Sequence, residues 1–180
     1  VGHVESGFDG KNGWSIDPLA GPSLLTGRAL SEMSEDAWFD STLHAPDRVK
    51  ELTTIGTGHV AEFVATFSGR NQAVGLGTGS LNSPLAVFMV KADNELYAVT
   101  TAPTTTGVAK TTETLMAGID WIRKPHTYSV EWTGTKAVYR VDGTVMATHT
   151  GAQWGTLSMG PMILDSVVDT TAVSVDYIRV

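Results

Sequence analysis

Cysteine is absent from the sequence, so no disulfide can stabilise the fold. A chain of 180 residues can bury a full hydrophobic core in one domain without disulfides, and their absence therefore excludes neither a secreted nor an intracellular protein. Basic residues are also few, with 12 Lys and Arg against 19 Asp and Glu and a formal net charge of −7. Because nucleic acids and anionic membrane surfaces attract a basic face, we expect neither as a partner.

Long apolar runs are missing too. No stretch approaches the roughly 20 apolar residues of a membrane-spanning helix, so we expect no membrane insertion. The chain starts at Val1 without a methionine or a signal sequence. We interpret it as a mature or excised domain, such as one module of a larger protein, from which the targeting segment has been removed.

Several motifs of catalytic sites are absent. The five histidines form no His-x-His or His-x-x-x-His pair, which argues against a catalytic transition-metal site. No Gly-x-Ser-x-Gly elbow occurs, and the glycine-rich run from Gly75 to Gly79 lacks the lysine of a phosphate-binding loop. Lys91, Asp93 and Glu95 flank a predicted turn and are interpreted as solvated turn residues.

The clearest pattern in the sequence covers residues 127–149. Alternation places Tyr128, Val130 and Trp132 on one face of a first strand. Asp142-Gly143 marks a tight turn between a second and a third strand. The segment is therefore predicted to be a meander of three antiparallel strands.

Shorter alternating segments continue this pattern over much of the chain. Between His59 and Phe67, the set that includes Phe63 and Phe67 should face the core, which leaves Glu62 on the outer or concave surface. Pro46 to Leu52 is predicted instead to be a short helix, because Pro occupies its first position with Asp beside it. The whole chain is predicted to form a single domain, residues 1–180, of about twelve short strands and minimal helix. This content is typical of an all-β, two-sheet antiparallel β-sandwich or jelly roll.

The two most regular parts of the chain resemble a known family. The run from Pro125 to Gly143 (PHTYSVEWTGTKAVYRVDG) and the closing strand from Val173 to Val180 (VSVDYIRV) are similar to those of the concanavalin A-like lectin/glucanase superfamily, which includes family-sixteen glycoside hydrolases and laminin-G-type modules. The resemblance starts at about Gly58 and is strongest over the last third of the chain. It implies a concanavalin A-like jelly roll, a fold that hosts many unrelated activities.

Active enzymes of this family carry Glu-x-Asp-x-Glu on one strand of the concave sheet. That spacing puts three carboxylates on one face of the strand, where one attacks the sugar and another protonates the leaving oxygen. In this chain the corresponding strand is Pro84 to Val90, which contains no carboxylate, and the motif occurs nowhere else. The resemblance therefore implies that the acid/base residues of the family are missing.

The same resemblance implies candidate ligand-binding residues on the concave sheet. Glu62 takes the place of a substrate-contacting carboxylate and Tyr128 that of an aromatic residue, with core packing as the alternative for Tyr128. Asp165 stands where the family has a polar Asn, but the sugar-stacking aromatic two positions later is Val167 here. Trp154 lies in a polar loop and is the favoured aromatic contact among the loop tryptophans, again with packing as its alternative.

Asp176 is a candidate metal ligand. In the resembling enzymes the Asp of the last strand often binds a structural calcium ion together with backbone carbonyls. Calcium takes about six to eight oxygen ligands, and one carboxylate with carbonyls and waters can supply a site of moderate affinity. The resemblance therefore implies structural Ca²⁺ at Asp176, and the alternative is a solvated Asp or one hydrogen-bonded to the N-terminal strand.

Three functions remain open at this point. The leading hypothesis is a non-catalytic, extracellular, carbohydrate-binding or adhesive module, secreted or at a bacterial-type cell surface, with a polysaccharide or other glycan as its partner. The first alternative is a polysaccharide-degrading enzyme, either a glycoside hydrolase or a lyase, that uses the concave face. The second alternative is a structural spacer domain of a larger surface protein.

Overall fold

The structure, a computed structural model, describes residues 7–8, 13–17, 24–27, 47–51, 56–78, 84–104, 106–151, 157–165 and 173–179, with the backbone alone up to residue 51, at 165 and from 176 on. These residues contain no helix that could cross a membrane. They form fourteen strands: β1 (Gly7–Phe8), β2 (Gly13–Asp17), β3 (Leu24–Gly27), β4 (Asp47–Glu51), β5 (His59–Thr66), β6 (Gln72–Gly77), β7 (Leu85–Val90), β8 (Leu96–Pro103), β9 (Ala109–Leu115), β10 (His126–Trp132), β11 (Lys136–Val141), β12 (Thr144–Thr150), β13 (Gly160–Asp165) and β14 (Ser174–Arg179).

The strands form two sheets. The larger sheet has nine strands in the order β1-β2-β3-β4-β13-β6-β7-β8-β9, and the smaller has five in the order β12-β11-β10-β5-β14. Among these strands, neighbours pair antiparallel except β3 and β4, which are parallel. The all-β, two-sheet sandwich predicted from the sequence is therefore confirmed, with fourteen strands where about twelve were expected.

The predicted helix from Pro46 to Leu52 is wrong. Asp47–Glu51 is strand β4, which pairs antiparallel with β13 and parallel with β3. Pairing on both sides supplies hydrogen-bond partners for the backbone of this short segment. Such contacts with distant strands outweigh the local helix signal of a Pro followed by an Asp.

The hydrophobic core lies between the two sheets. In β5 the side chains alternate between buried and half-buried over residues 61–66, as the sequence pattern predicts. Phe88 of the nine-stranded sheet packs on Tyr128 and Tyr139 of the five-stranded sheet, with ring centroids 4.8 and 5.3 Å apart. Phe63 stacks on Tyr128 at 5.6 Å. Aromatic contacts of this kind add to the free energy of burial, so this cluster joins the two sheets firmly.

The turn between β11 and β12 has the predicted geometry. Asp142 and Gly143 have φ angles of 49° and 78°, the positive values that a two-residue hairpin turn requires. The Asp142 carboxylate accepts the N–H of Thr127 (3.0 Å) and lies 2.7 Å from Nδ1 of His126. Partial burial opposes ionisation of Asp142, but these hydrogen bonds outweigh it and hold the pKa of the carboxyl below its ordinary value. The turn is thereby fixed to the start of β10.

Candidate functional site

The outer face of the nine-stranded sheet, meaning the side that points away from the five-stranded sheet, contains half of the side chains of β7. The other half enters the core between the sheets (Ala86, Phe88 and Val90). Leu85 and Val87 belong to a separate apolar cluster on the outer face, and Met89 packs against it. The three outward positions of this strand therefore carry apolar side chains and no carboxylate.

The apolar cluster of the outer face extends over four neighbouring strands. Its members are at most 5% exposed: Ala73, Leu85, Val87, Val99, Met162 and Leu164. Gly77 of β6 provides room for it, because a Cβ there would lie 2.5 Å from Sδ of Met162 and 3.1 Å from Cδ1 of Leu85. Apolar side chains thus cover this part of the outer face.

Polar side chains gather at one end of this face, in the hairpin between β7 and β8. The turn is closed by hydrogen bonds from the N–H of Lys91 to the carbonyl of Glu95 (3.1 Å) and from the N–H of Asn94 to the carbonyl of Lys91 (3.0 Å). Asn94 adopts a positive φ of 60°, which this residue type tolerates better than most. Oδ1 of Asp93 accepts the N–H of Glu95 (3.0 Å). The hairpin therefore holds the side chain of Asp93 in a defined position.

Tyr97 of β8 is the centre of this group, which we call the Tyr97 cluster: Lys91, Asp93, Glu95, Tyr97 and Glu113. The Tyr97 hydroxyl lies 2.9 Å from Oδ2 of Asp93 and 3.0 Å from Oε2 of Glu95. The hydrogen bond to Asp93, followed by the one to Glu95, raises the pKa of Tyr97 well above its ordinary value, so the phenol stays protonated. The pKa of Asp93 is lowered, chiefly because this carboxylate accepts the N–H of Glu95.

Lys91 connects the cluster to the edge strand β9. Its Nζ lies 2.7 Å from Oε2 of Glu113 and 5.0 Å from the centroid of the Tyr97 ring. Leu115, the register partner of Tyr97 on β9, is 42% exposed. The surface thus combines an aromatic ring, an exposed apolar side chain and three carboxylates against one ammonium group.

This cluster has a surplus of hydrogen-bond acceptors. One phenolic proton faces two carboxylates, and an ionised carboxylate can only accept hydrogen bonds. Hydroxyl groups of a ligand would find acceptors here, whereas an anionic ligand would meet an excess of negative charge. A general acid needs a raised pKa, and that of Asp93 is lowered. Asp93 is therefore better suited to accept hydrogen bonds than to protonate a leaving group.

Of the predicted ligand-binding residues, Glu62 and Tyr128 lie in the five-stranded sheet but on opposite faces. The register between β5 and β10 pairs Phe63 with Tyr128, and Glu62 with Ser129. Tyr128 is 0% exposed among the aromatic rings of the core. Core packing, the alternative that the sequence leaves open, is therefore its role in this structure, and Glu62 is half-buried on the side away from the core.

The structure also separates Glu62 from the strand that corresponds to the family's catalytic strand. β5 belongs to the five-stranded sheet and β7 to the nine-stranded sheet. The expectation that both contribute to one concave sheet is therefore wrong. The side of the five-stranded sheet that carries Glu62 also has an ion pair between Arg140 and Glu131 (2.8 Å), both 30% exposed, and pairs this exposed stabilise a fold only modestly.

The other two predicted ligand contacts are not placed in any site. Trp154 lies outside the described residues. Asp165 is the last residue of β13, in register with Gln72 of β6 and Asp47 of β4, and its side chain is not described. Their roles as ligand contacts remain predictions.

Asp176, the predicted calcium ligand, lies at an irregularity in the pairing of β14 with β5. Val175 pairs with Ala65 and Tyr177 with Val64, so Asp176 is the extra residue of a bulge, a feature that redirects a side chain. Its side chain is outside the described part of the chain. Where side chains are described, no group of three His, Asp or Glu residues could hold a metal ion.

The sequence interpretation of Lys91, Asp93 and Glu95 as solvated turn residues misses the Tyr97 cluster. Strand alternation gives no signal for it, because Asp93 and Asn94 lie in the turn before β8 and, of residues 93, 95 and 97, only Tyr97 stands within a strand. No pattern in the neighbouring sequence predicts that Glu113 belongs to the Tyr97 cluster. Its place there depends on the register of β9 against β8, which places Glu113 opposite Val99.

Comparisons with known proteins establish the fold. No protein-family model matches the sequence, and neither does any curated protein. A GH16 protein of the Bacteroides ovatus mixed-linkage glucan PUL, in complex with a G4G4G3G product, is similar with a TM-score of 0.52 and 11% identity over 98% of this chain and 84% of that chain. An uncharacterized protein from Mycobacterium paratuberculosis has a TM-score of 0.52 and 15% identity over 73% of this chain and 72% of that one.

Other similar structures are longer than this chain. It spans 58%, 66% and 60% of the length of three of them: a protein from work on mucin O-glycanases, a κ-carrageenase from Pseudoalteromonas carrageenovora and an endo-β-1,3(4)-glucanase. Identities this low show a shared fold and nothing finer. The fold is that of the concanavalin A-like jelly-roll β-sandwiches, as the resemblance implies.

Proposed function

We propose that the protein is a non-catalytic glycan-binding module, secreted or exposed at a bacterial-type cell surface. The observation that carries this proposal is the outer face of β7, where Leu85, Val87 and Met89 are all apolar. The family resemblance implies that this strand corresponds to the one whose carboxylates cleave the glycoside, which supports a non-catalytic module. The similar GH16 structure from Bacteroides ovatus holds a G4G4G3G product, which supports a carbohydrate as the ligand class.

The Tyr97 cluster is the proposed contact surface. Sugar recognition combines an apolar or aromatic surface with a few fixed polar groups, and the cluster offers Tyr97 beside Leu115 together with the carboxylates of Asp93 and Glu95. Its negative charge disfavours uronic acids and sulfated sugars, so the proposed ligand is an uncharged polysaccharide. Trp154 and Asp165 are further proposed contacts.

Binding to a panel of neutral and anionic polysaccharides tests this proposal. The double variant Asp93→Asn, Glu95→Gln is expected to lose affinity for the preferred neutral glycan by about tenfold or more, because a hydrogen bond to a charged group contributes about 1.5–3 kcal/mol. Isothermal titration measures the affinity, and circular dichroism checks that the variant is folded. Glu62→Gln makes the same acid-to-amide change on the other sheet and is expected to bind like the unaltered protein.

Other results would favour other functions. Loss of binding in Glu62→Gln alone would place the ligand on the five-stranded sheet and contradict the proposed surface. Cleavage of a panel glycan at an enzyme-like rate, abolished in the double variant, would identify Asp93 and Glu95 as an acid pair and the protein as a hydrolase. Binding to none of the glycans would leave the structural spacer as the better description.

Structural calcium at Asp176 is a separate part of the proposal. Carbonyl oxygens and one carboxylate are ligands that calcium prefers, and the bulge at this position redirects the chain locally. A ligand that binds only the folded protein raises its melting temperature, so EDTA is expected to lower the melting temperature of the native protein and added Ca²⁺ to restore it. The variant Asp176→Asn is expected to melt at the same temperature with and without EDTA. An unchanged melting temperature of the native protein in EDTA would contradict the calcium site.

A further inference from the structure

A chain of hydrogen bonds between side chains crosses the core from one sheet to the other. His149 of β12 lies with its Nδ1 2.8 Å from Oγ1 of Thr100 on β8 and its Nε2 2.9 Å from Oγ1 of Thr114 on β9. The same Thr100 oxygen lies 2.6 Å from the hydroxyl of Tyr139 on β11. We call this chain of four side chains the His149 bridge. His149, Thr100 and Tyr139 are at most 4% exposed.

The donor and the acceptor of each hydrogen bond in the bridge can be assigned by starting from Tyr139. Tyr139 donates to the carbonyl of Val99 (2.8 Å), since a carbonyl can only accept. The proton between Tyr139 and Thr100 must then come from Thr100. Thr100 in turn accepts from Nδ1–H of His149, which leaves Nε2 as the acceptor for Thr114. The bridge is therefore complete only with a neutral imidazole that carries its proton on Nδ1.

The surroundings of His149 offer no compensation for a positive charge. The described groups that face it are the Tyr139 ring at 5.1 Å from β11 and the two threonines from β8 and β9. The charged residues next to these positions in the strand register are Lys136 of β11, opposite Thr150, and Glu113 of β9, beside Thr114. Alternation directs both away from the face that His149 occupies, and Glu113 is paired with Lys91. Burial accordingly lowers the pKa of His149. Protonation would also turn Nε2 into a donor and force the Thr114 hydroxyl to reverse.

The His149 bridge lies at one edge of the sandwich, so its loss would affect the strands at that edge. β9 is the last strand of the nine-stranded sheet and β12 the last strand of the five-stranded sheet. The bond between Thr114 and His149 thus joins two strands that, among the described strands, pair with one neighbour each. Breaking it would loosen this edge of the sandwich while the aromatic cluster around Phe88 still holds the sheets together.

We propose that the His149 bridge is a pH-sensitive contact that holds β9 and β12 together at this edge of the sandwich. The contact is intact when the imidazole is neutral and weakened when the imidazole takes up a proton. Because the pKa of His149 is lower in the folded protein than its ordinary value near 6.5, the opened form binds the proton first. The stability of the edge is therefore highest above about pH 6.5 and falls as the pH decreases through the range between the ordinary and the folded pKa. Below the pKa that His149 has in the folded protein, the stability of the edge no longer changes with pH.

Hydrogen exchange in the native protein tests the proposal. Between pH 7.5 and 5.5 we expect the opening constant of the β9 and β12 amides, corrected for intrinsic exchange rates, to rise by up to about tenfold per pH unit within that range. The β5 and β10 amides should change less. In His149→Gln, which cannot titrate, the rise at the edge should disappear, whereas it should persist in the control His59→Gln, where an exposed histidine is replaced.

Two results would overturn the proposal. One is an unchanged opening constant at the edge of the unaltered protein over this pH range, and the other is the same pH dependence in His149→Gln as in the unaltered protein. If His149→Gln fails to fold, the imidazole titration is followed by NMR in the unaltered protein. His149 is expected to titrate below the ordinary value near 6.5, and a midpoint at or above that value contradicts the bridge.

Discussion

Phe88→Ala is expected to lower the free energy of unfolding by about 3–5 kcal/mol, the usual cost of replacing a buried Phe with Ala. The Phe88 ring is 0% exposed and contacts aromatic residues of the opposite sheet at centroid distances of 4.8 Å (Tyr128), 5.3 Å (Tyr139) and 6.1 Å (Phe63). Its removal leaves a cavity between the sheets and ends three ring contacts at once. Urea unfolding followed by tryptophan fluorescence measures the loss.

Tyr128→Phe is the matched control in the same aromatic cluster. The Tyr128 hydroxyl is buried and has no hydrogen-bond partner among the described residues, so its removal eliminates an uncompensated polar group and keeps the ring. We expect the free energy of unfolding to stay unchanged or to rise by about 1–2 kcal/mol. If Phe88→Ala were no more destabilising than Tyr128→Phe, the aromatic cluster would not be the contact that joins the sheets.

Gly75→Ala is expected to destabilise the protein by about 2–5 kcal/mol, through backbone strain together with overpacking. Gly75 lies in β6 with a φ of +154°, and a Cβ there would come within 2.5 Å of the carbonyl oxygen of Ala86 and 2.7 Å of Cα of Val87. Both contacts are with the backbone of β7, which cannot move away without breaking its own strand pairing. The same urea experiment measures the effect.

Gly134→Ala separates this effect from the general effect of replacing a glycine. Gly134 has no atom within 4 Å of its Cβ position, and its φ is not in the positive range. An added methyl group there is expected to change the free energy of unfolding by less than about 1 kcal/mol. Equal losses in the two variants would mean that β6 and β7 do not approach each other as closely as the structure has them.

The close approach at Gly75 bears on function as well as on stability. β6 contributes Ala73, Gly75 and Gly77 between the larger side chains of β7 and β13, and Met162 and Leu85 extend over Gly77. This part of the outer face is therefore filled by the protein's own apolar side chains. In the proposed function, the polar groups that contact the glycan come from the Tyr97 cluster at the end of the face.

Local patterns predicted single strands and their turns well. Alternation placed Tyr128, Val130 and Trp132 on one face, and all three are buried, including Tyr128, which the family resemblance suggests as a ligand contact. The Asp142-Gly143 signal predicted a tight turn, which the structure confirms, with positive φ at both residues. Each of these features depends on neighbours within a few residues, where backbone geometry and side-chain size leave few choices. The pattern failed at Asp47–Glu51, where strands from distant parts of the chain complete the backbone hydrogen bonding.

The sequence by itself determined that the chain is an all-β sandwich and that the strand from Leu85 to Val90 lacks acidic groups. Only the tertiary structure decided that this strand and Glu62 belong to different sheets, that Tyr97 meets Asp93 and Glu95 at its hydroxyl, and that His149 bridges the two edges. The physical reason is the distance along the sequence between the residues whose contacts decide each feature. Alternation within a strand follows from the local backbone geometry, whereas the order of strands in a sheet depends on the summed contacts of segments far apart, such as Thr100 and His149, which lie 49 residues apart.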